Sequence, residues 1–315
     1  MTVPSPSDLP ARPSEPARPE PNPPRQTPRP GVPLAQLIKE TRLFVVDMDG
    51  TIYLGENPLP GAWAFLQACQ ASAERDCLFF TNNSSTTAAH YAQKLRRLGW
   101  QGPLPPIVTS GDVAISWLQR EQPQARVCLL ATPSVTRQFE AAGIRLWSEP
   151  AGPDDSRAER PDLVLLTFDQ SLTYAKLARA CQAIREGAGF VATHPDINCP
   201  TENGFIPDCG AIISLISAST GVKPVILGKP YPETVAAIEA LSGVPRSQLT
   251  FIGDRLYTDI ACGVNNGAHG LLVLSGEASR ADLAGSPVQP DAVLPSVADL
   301  VPWLSQAAAG AQLQR

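Results

Sequence analysis

Short apolar segments alternate with longer amphipathic segments from Leu34 onward, and turn residues follow each apolar segment. This alternation is typical of parallel strands joined by helices, so it predicts an α/β fold with helices on both faces of a parallel sheet. A helix near Val297 to Ala308 is predicted to close the core. Six segments are predicted as strands of the core sheet: Leu43 to Val46, Cys77 to Phe80, Ile107 to Thr109, Val225 to Leu227, Thr250 to Ile252 and Gly270 to Leu274.

A second alternating block lies between the third and fourth of these strands. It contains predicted strands at Arg126 to Ala131, Leu163 to Thr167 and Gly189 to Thr193, and predicted helices at Ser134 to Ala142 and Leu172 to Glu186. The block is long enough to form a domain of its own. We therefore predict a core of residues 34–118 and 222–305 with an inserted α/β domain at 119–221, and a surface loop near 148–161.

The first 33 residues differ from the rest of the chain, because they are rich in Pro, Arg, Glu and Ser and have no apolar periodicity. This composition predicts a disordered tail. An inert extension and a polyproline II segment that meets a partner are both compatible with it.

Length, charge and cysteine content narrow the class of protein. A chain of 315 residues can bury an ample core, and its net charge of -5 argues against binding to nucleic acid or to an anionic membrane. No apolar stretch approaches the ~20 residues of a membrane span, and no cationic segment followed by an apolar one begins the chain, so we expect a cytoplasmic protein. The seven cysteines include no CxxC pair, which favours buried thiols over a zinc site.

The first candidate site is the acidic pair Asp47 and Asp49, which directly follows the predicted strand Leu43 to Val46. Side chains two residues apart on a strand leave the same face, and α/β sheets bind ligands at the carboxyl ends of their strands. Two carboxylates this close need a cation, and hard oxygen ligands suit Mg²⁺. Taken alone, the pair is also compatible with an acidic turn after a buried strand.

Three further polar groups follow predicted strands, and the four groups in this order are unlikely to arise by chance. Thr81 and Asn82 end the segment LFFTN, Lys229 lies in GKP, and Asp254 and Asp259 lie in GDRLYTD. A hydroxyl, exposed amides and an ammonium can hold a phosphate, and a carboxylate pair can hold a metal. Each group alone is equally typical of a polar turn or a surface residue. Together they predict a phosphoryl-transfer site at one edge of the sheet.

These four motifs resemble those of the haloacid dehalogenase (HAD) superfamily, and specifically its subfamily IIA of NagD-like and p-nitrophenylphosphatase-like enzymes. The resemblance covers roughly Leu34 to Leu304. It implies a Rossmann-like, doubly wound parallel sheet as the core. It also implies an α/β cap domain of the C2 type, inserted between the second and third motifs and able to close over the substrate.

The resemblance implies roles for the acidic residues. Asp47 would be the nucleophile that forms an aspartyl-phosphate, and Asp49 would be the general acid and base. Mg²⁺ would be held by Asp47, the main-chain carbonyl of Asp49 and Asp254, with Asp259 in support.

It also implies a phosphate-binding set. Thr81, the amide of Asn82 and Lys229 would bind the phosphoryl oxygens and stabilise their charge in the transition state. Gly50, in the turn after Asp49, is assigned to the same substrate-binding set.

The cap segment Ala192 to Ile212 corresponds to the family's substrate-specificity stretch, commonly written with ATNPD at its start and PGxG near its end. In this chain His194 replaces the usual Asn and Asp208 replaces the usual Gly. We assign both to substrate binding, where they could contact a sugar hydroxyl, an amine or a base. Structural roles, with His194 capping a strand end and Asp208 stabilising a turn, are equally open. Residues 131–134 also depart from many relatives, in a loop that could reshape the cap or a homodimer formed through it.

The favoured function is a Mg²⁺-dependent phosphatase that acts on a small phosphorylated metabolite such as a sugar phosphate, a nucleoside monophosphate or phosphoglycolate. One alternative is a non-enzymatic phospho-acceptor resembling receiver domains, which lack a base at the position of Asp49. The other is a phosphomutase or a phosphate-binding regulator on the same fold.

Overall fold

The computed structural model describes residues 33–72, 74–148, 160–201 and 204–305. The tail predicted at residues 1–33 and the loop predicted near 148–161 fall almost entirely outside these ranges. Where the chain is described, no helix has both the length and the apolar character needed to cross a membrane.

Helices and strands alternate along most of the described chain. The strands are β1 (Leu43–Val46), β2 (Tyr53–Leu54), β3 (Asn57–Pro58), β4 (Asp76–Thr81), β5 (Ile107–Thr109), β6 (Val127–Leu130), β7 (Leu163–Leu166), β8 (Gly189–Ala192), β9 (Asn198–Thr201), β10 (Gly204–Pro207), β11 (Val225–Ile226), β12 (Leu249–Gly253), β13 (His269–Val273) and β14 (Ala292–Leu294). The helices are α1 (Leu34–Glu40), α2 (Ala62–Ala71), α3 (Ala88–Arg97), α4 (Ser110–Glu121), α5 (Pro133–Ala141), α6 (Tyr174–Arg185), α7 (Cys209–Thr220), α8 (Pro232–Ser242), α9 (Ala261–Asn265) and α10 (Asp282–Gly285).

The larger sheet is parallel and has the strand order β14-β13-β12-β1-β4-β5. One of its faces packs Phe44 and Phe79 against α1 and α2, and the other packs Val45 and Phe251 against α4 and α8. Both faces are therefore covered, and the predicted fold class is confirmed. From β1 the chain adds strands first on one side (β4, β5) and later on the other (β12, β13, β14). This change of side places the ligand-binding crevice at the carboxyl end of β1.

A second parallel sheet has the order β11-β8-β7-β6. One of its faces packs on α6 and α7, while the other shares a single hydrophobic cluster with α4 and α8. The antiparallel hairpin β9–β10 extends from the end of β8. The inserted α/β block thus packs directly on the core, and we call this block the cap.

The structure corrects one predicted strand. Val225 to Leu227 was expected in the core sheet, but Val225 pairs with Val191 and Ile226 pairs with Ala192. The placement was wrong because a two-residue, half-buried strand has the same apolar pattern at the edge of either sheet.

The carboxyl end of the chain also differs in detail from the prediction. Strand β14 was missed, because it is short and has a proline close to each end. The predicted C-terminal helix begins as a 3₁₀ turn at Val297–Leu300 and is helical over 301–305, beyond which the chain lies outside the described residues.

Candidate active site

The four sequence motifs meet at the carboxyl edge of the larger sheet. The amide of Asp47 donates to the carbonyl of Ile252 at 2.8 Å, so the ladder between β1 and β12 continues to the first acidic residue. Asp254 follows β12, Thr81 ends β4 and Lys229 follows β11. Strands β1, β4 and β12 end at one edge and bring Asp47, Thr81 and Asp254 together. Lys229 reaches the same edge from β11 of the second sheet.

Lys229 lies at the centre of this cluster. Its Nζ donates to Asp47 Oδ1 at 2.6 Å and to Asp259 Oδ1 at 2.5 Å, and its side chain is almost fully buried. Burial by itself would lower the pKa of Lys229, but the two carboxylates outweigh burial and hold the pKa above its ordinary value. The lysine is therefore a fixed positive charge at the pocket floor.

Asp47 is surrounded by more negative than positive charge. Burial raises the pKa of Asp47 well above its ordinary value, and Asp259 and Asp254 add to the rise that Lys229 opposes. A carboxylate in such a place needs a second cation if it is to be ionised at neutral pH.

Asp254 carries an oxygen that is ready for such a cation. Its Oδ2 accepts a hydrogen bond from the amide of Glu277 at 2.7 Å, while Oδ1 is buried and has no partner among the residues that the structure describes. Burial and the neighbouring Asp259 raise the pKa of Asp254 to about 6. Carboxylate oxygens of Asp47, Asp254 and Asp259 lie within 4.8 Å of one another, a donor set that fits a hard divalent cation.

Asp259 is held by an unusual turn of helix. Leu256–Ile260 form a π-helical turn, and the Asp259 carboxylate accepts from the amide of Arg255 at 3.2 Å. Single π-helical turns are rare and frequent at functional sites. Here the turn directs one oxygen toward Lys229 and keeps the other on the backbone.

Gly50 has a backbone role at the site. Its φ of +80° lies in the left-handed region, and its amide donates to the carbonyl of Tyr53 at 2.8 Å. A Cβ at this position would collide with the carboxylate of Asp254. Glycine thus permits both the turn and the close approach of the acidic side chain.

Asp49 is exposed where the pocket opens to solvent. The pocket shields its carboxylate from part of the solvent, which raises its pKa, although Lys94 and Arg255 oppose the rise. A carboxyl group with a raised pKa retains its proton closer to neutral pH, as a general acid must.

The side chain of Asn82 holds the backbone of Lys229 against the core. Its Oδ1 accepts from the amide of Lys229 at 2.9 Å, and its Nδ2 donates to the carbonyl of Lys229 at 3.0 Å and to Asp196 at 3.2 Å. Thr81 lines the pocket, and its hydroxyl accepts from the amide of Asn83 at 3.2 Å. The side chain of Asn82 thus positions Lys229, while the assignment of its amide to phosphate stays a prediction.

The side chains enclose a cavity of about 70 Å³. Sequence reasoning named Asp47, Asp49, Thr81, Asn82, Asp208, Lys229 and Asp259 among its lining residues. It assigned no role to Asn83, Tyr91, Asp196, Asn198, Cys199, Arg255 and Thr258. Asn83 and Arg255 had an available signal, because they directly follow Asn82 and Asp254. Burial raises the pKa of the Cys199 thiol to about 11, which favours the neutral thiol at neutral pH.

The two cap residues singled out in the sequence lie at different depths. Asp208 lines the pocket and also caps α7, since its Oδ1 accepts from the amide of Cys209 at 2.6 Å. His194 is fully buried behind the pocket wall, with Nε2 2.9 Å from Asp208 Oδ1. The structure therefore brings Asp208, and not His194, to the pocket surface.

Protonation of His194 is favoured by its neighbours. Burial alone would lower the pKa of His194, but the hydrogen bond to Asp208 and the charge of Asp196 outweigh burial and Lys229, so the pKa lies above its ordinary value.

Comparisons with known proteins agree with this geometry. Residues 44–145 match the model of the haloacid dehalogenase-like hydrolases, and residues 226–300 match that of HAD-hydrolase-like proteins. An acid sugar phosphatase of Staphylococcus aureus is 31% identical over 253 residues, which are 80% of this chain and 94% of that protein.

Solved structures give the same result. The 4-nitrophenylphosphatase of Thermotoga maritima is 41% identical with a TM-score of 0.77, over 84% of this chain and 98% of that one. The glycerol phosphate phosphatase of Mycobacterium tuberculosis, solved with calcium, is 30% identical with a TM-score of 0.74, over 84% of this chain and 76% of that one. The chain therefore belongs to the haloacid dehalogenase superfamily, among its NagD-like and p-nitrophenylphosphatase-like members, and is a phosphatase of that family.

Proposed function

We propose that this protein is a Mg²⁺-dependent phosphatase that hydrolyses a small phosphorylated metabolite through an aspartyl-phosphate on Asp47. The observation that carries the proposal is the cluster in which Lys229 bridges Asp47 and Asp259 beside the unpartnered oxygen of Asp254. It combines a nucleophile, a fixed positive charge and a place for a cation within one small pocket.

In the first step, a carboxylate oxygen of Asp47 attacks phosphorus and the ester oxygen leaves. Lys229 holds the nucleophile in place and stabilises negative charge on the phosphoryl oxygens. Thr81 and the amide of Asn82 would donate to the same oxygens. A covalent intermediate divides one difficult hydrolysis into two easier steps.

Asp49 would transfer the protons. Its raised pKa supports a carboxyl group that protonates the leaving alkoxide and then, as a carboxylate, takes a proton from the water that attacks the phosphoenzyme. Its exposure where the pocket opens supports contact with both the leaving group and water.

The cation would be held by Asp47, the main-chain carbonyl of Asp49 and Asp254, with Asp259 in support. Bound Mg²⁺ would supply positive charge beside the phosphoryl oxygens and keep Asp47 ionised. An all-oxygen donor set supports Mg²⁺ over zinc.

The substrate class follows from the size of the pocket and from the relatives. A small cavity supports a small phosphate ester, and the relatives named above act on sugar phosphates, nitrophenyl phosphate or glycerol phosphate. No observation favours a phosphomutase or a non-enzymatic phospho-acceptor. Cytoplasmic location and a homodimer through the cap stay predictions from the sequence.

The test is phosphate release from p-nitrophenyl phosphate and glycerol phosphate, with Mg²⁺ and with chelator. Asp47→Asn keeps the shape of the side chain and removes the nucleophile, so turnover should fall by more than about 10³-fold while the protein stays folded. Normal turnover in a folded Asp47→Asn protein would refute the mechanism, and full activity in chelator would refute the metal requirement.

A further inference from the structure

His194 connects the cap to the core although it does not reach the pocket. Its Nε2 lies 2.9 Å from Asp208 Oδ1 on the cap. Its Nδ1 lies 3.0 Å from Thr193 Oγ1 on the cap, and 3.3 Å from Ser110 Oγ and 3.4 Å from Ser84 Oγ on the core. An ionised carboxylate can only accept, so Nε2 must carry a proton. Hydroxyl groups can donate or accept, so Nδ1 is satisfied in either protonation state.

On the core side, Ser110 connects His194 to Lys229 through Asn82. Ser110 Oγ donates to the carbonyl of Asn82, whose side chain holds both the amide and the carbonyl of Lys229. The ring of His194 therefore fixes the position of Asp208 relative to the loop that would hold the phosphoryl group. A histidine can span this gap because its two nitrogens face opposite sides.

One carboxylate oxygen of Asp208 is not used in these hydrogen bonds. Oδ1 takes both hydrogen bonds of the carboxylate, from His194 and from the amide of Cys209. Across the described residues, Oδ2 has no hydrogen-bond partner, although the side chain is only 5% exposed and lines the pocket. Oδ2 is not among the buried atoms that lack a partner, so it is open to the pocket, where a ligand that donates a hydrogen bond could reach it.

The charges around Oδ2 determine which leaving groups this part of the pocket would attract. Asp196 lies beside Asp208 in the pocket wall. A hydroxyl or an ammonium on the leaving group would be attracted to this wall. A carboxylate would be repelled by both aspartates.

We propose that His194 and Asp208 act as one unit that selects phosphate esters whose leaving group donates a hydrogen bond, with Asp208 as the acceptor and His194 as its positioning residue. The inference rests on the proposed phosphatase activity and adds the chemical class of the leaving group. Hydroxyl-bearing and ammonium-bearing esters share this chemistry, and esters that carry a carboxylate or no donor lack it.

The test compares four substrates in the full-length protein with Mg²⁺. Glycerol phosphate carries a hydroxyl donor, ethanolamine phosphate an ammonium donor, phosphoglycolate a carboxylate, and p-nitrophenyl phosphate no donor. Asp208→Asn keeps the helix cap and an acceptor for His194. It should lower kcat/KM for the preferred donor substrate by about tenfold, because an amide oxygen is a weaker acceptor than a carboxylate. With p-nitrophenyl phosphate, which donates no hydrogen bond, kcat/KM should fall less, so the ratio of the two kcat/KM values should fall, and with phosphoglycolate kcat/KM should rise.

His194→Gln tests the positioning role. It should reduce the preference for donor substrates over p-nitrophenyl phosphate about as much as Asp208→Asn does, and the double variant should add little, because residues of one unit are not additive. Thr173→Ala is the matched control, since it removes the N-cap of α6 in the same domain and away from the pocket. Loss of folded protein lowers all four rates equally, so it leaves the preference unchanged.

Each outcome decides the inference. A preference unchanged in Asp208→Asn, or an equal loss on all four substrates, would overturn it. A preference lost in Asp208→Asn and retained in His194→Gln would overturn the positioning role. A loss confined to one donor substrate would support the unit and identify the donor as hydroxyl or ammonium. Absence of turnover by the wild type on all four would instead refute the proposed phosphatase activity, and the inference with it.

Discussion

The two walls of the pocket are built on different principles. On the core side, Asp47, Lys229 and Asp259 hold one another through charged hydrogen bonds of 2.5 to 2.6 Å. On the cap side, Asp208 is positioned by a histidine that is itself buried and held by serine hydroxyl groups of the core. The core wall fixes its own geometry, whereas the cap wall takes its geometry from its contact with the core. We therefore expect chemistry to fail when the core wall changes and selectivity to fail when the cap wall changes.

The strongest test of the core wall is Lys229→Met. It removes the charge that opposes Asp47 and Asp259, so kcat should fall by about 10²- to 10³-fold. In metal-free buffer, the free energy of unfolding should fall by roughly 3 to 5 kcal/mol, because two buried carboxylates lose their partner. Both are measured by steady-state kinetics and by urea unfolding.

Lys176→Met provides the control for that variant. Lys176 pairs with the buried Asp169 in the cap at 2.7 Å and does not line the pocket. The Lys176→Met variant should have a lower free energy of unfolding than the wild type and an unchanged kcat. Equal losses of kcat in both variants would show that the effect of Lys229 is only structural.

The second test removes the unpartnered oxygen of the core wall. Asp254→Asn replaces a carboxylate that has a buried, unpaired oxygen, so affinity for Mg²⁺ should fall by about 10²-fold. Calorimetric titration of the metal-free protein measures this directly, and Asp282→Asn on the surface is the control. Unchanged affinity would remove Asp254 from the metal site.

The third test addresses the cap wall through pH. The pKa of His194 lies above its ordinary value, so its positive charge contributes stability that is fully present below the unfolded pKa of about 6.5 and is lost as pH rises through the folded pKa. His194→Gln should therefore be less stable than the wild type by roughly 1 to 3 kcal/mol near pH 6 and by less near pH 9.

Urea unfolding at the two pH values measures that difference. The groups that face the imidazole are Asp208, Asp196 and Lys229, and each belongs to a different segment. Thr173→Ala should show a stability gap that does not vary with pH. A constant gap for His194→Gln as well would mean that the ring stays in one protonation state throughout.

The smallest expected effect concerns the residue next to Asp254. Arg255 lines the pocket, and its Nε donates to Glu277 Oε2 at 2.9 Å, while Tyr257 donates to the other oxygen at 2.9 Å. Glu277→Gln should raise KM about two- to threefold and leave kcat unchanged, because solvent-exposed ion pairs contribute little. A tenfold fall in kcat would show that Arg255 acts on the reacting groups.

The sequence indicated which residues lie together in the core wall, because their positions depend on short segments next to them in the chain. Asp47 directly follows a buried strand, and Lys229 and Asp254 each follow an apolar segment, so a strand end is enough to place them. Although β11 was assigned to the wrong sheet, Lys229 still reaches the predicted edge, because Asn82 holds its backbone there.

The cap wall could not be predicted in the same way. A histidine at the end of β8 looks the same in the sequence whether it faces a ligand or lies behind the wall. Its ring lies against Asp208 and Thr193 of the cap and against the hydroxyls of Ser84 and Ser110, which are more than 80 residues earlier in the chain. The contacts of Asp196 with Asn82, and the position of Cys199, likewise depend on how the cap packs on the core.

The assignment of β11 to the cap sheet has a mechanical consequence. Ile226 is bonded into the cap, while Lys229, three residues later, is clamped to the core by Asn82. The amide of Leu227 also donates to the cap carbonyl of Ala192, so only Gly228 separates the backbone that is bonded into the cap from Lys229. A Cβ at Gly228 would collide with the carbonyl of Thr193 and with Oδ1 of Asn82. The position of the lysine is thus tied to the way in which the cap packs on the core.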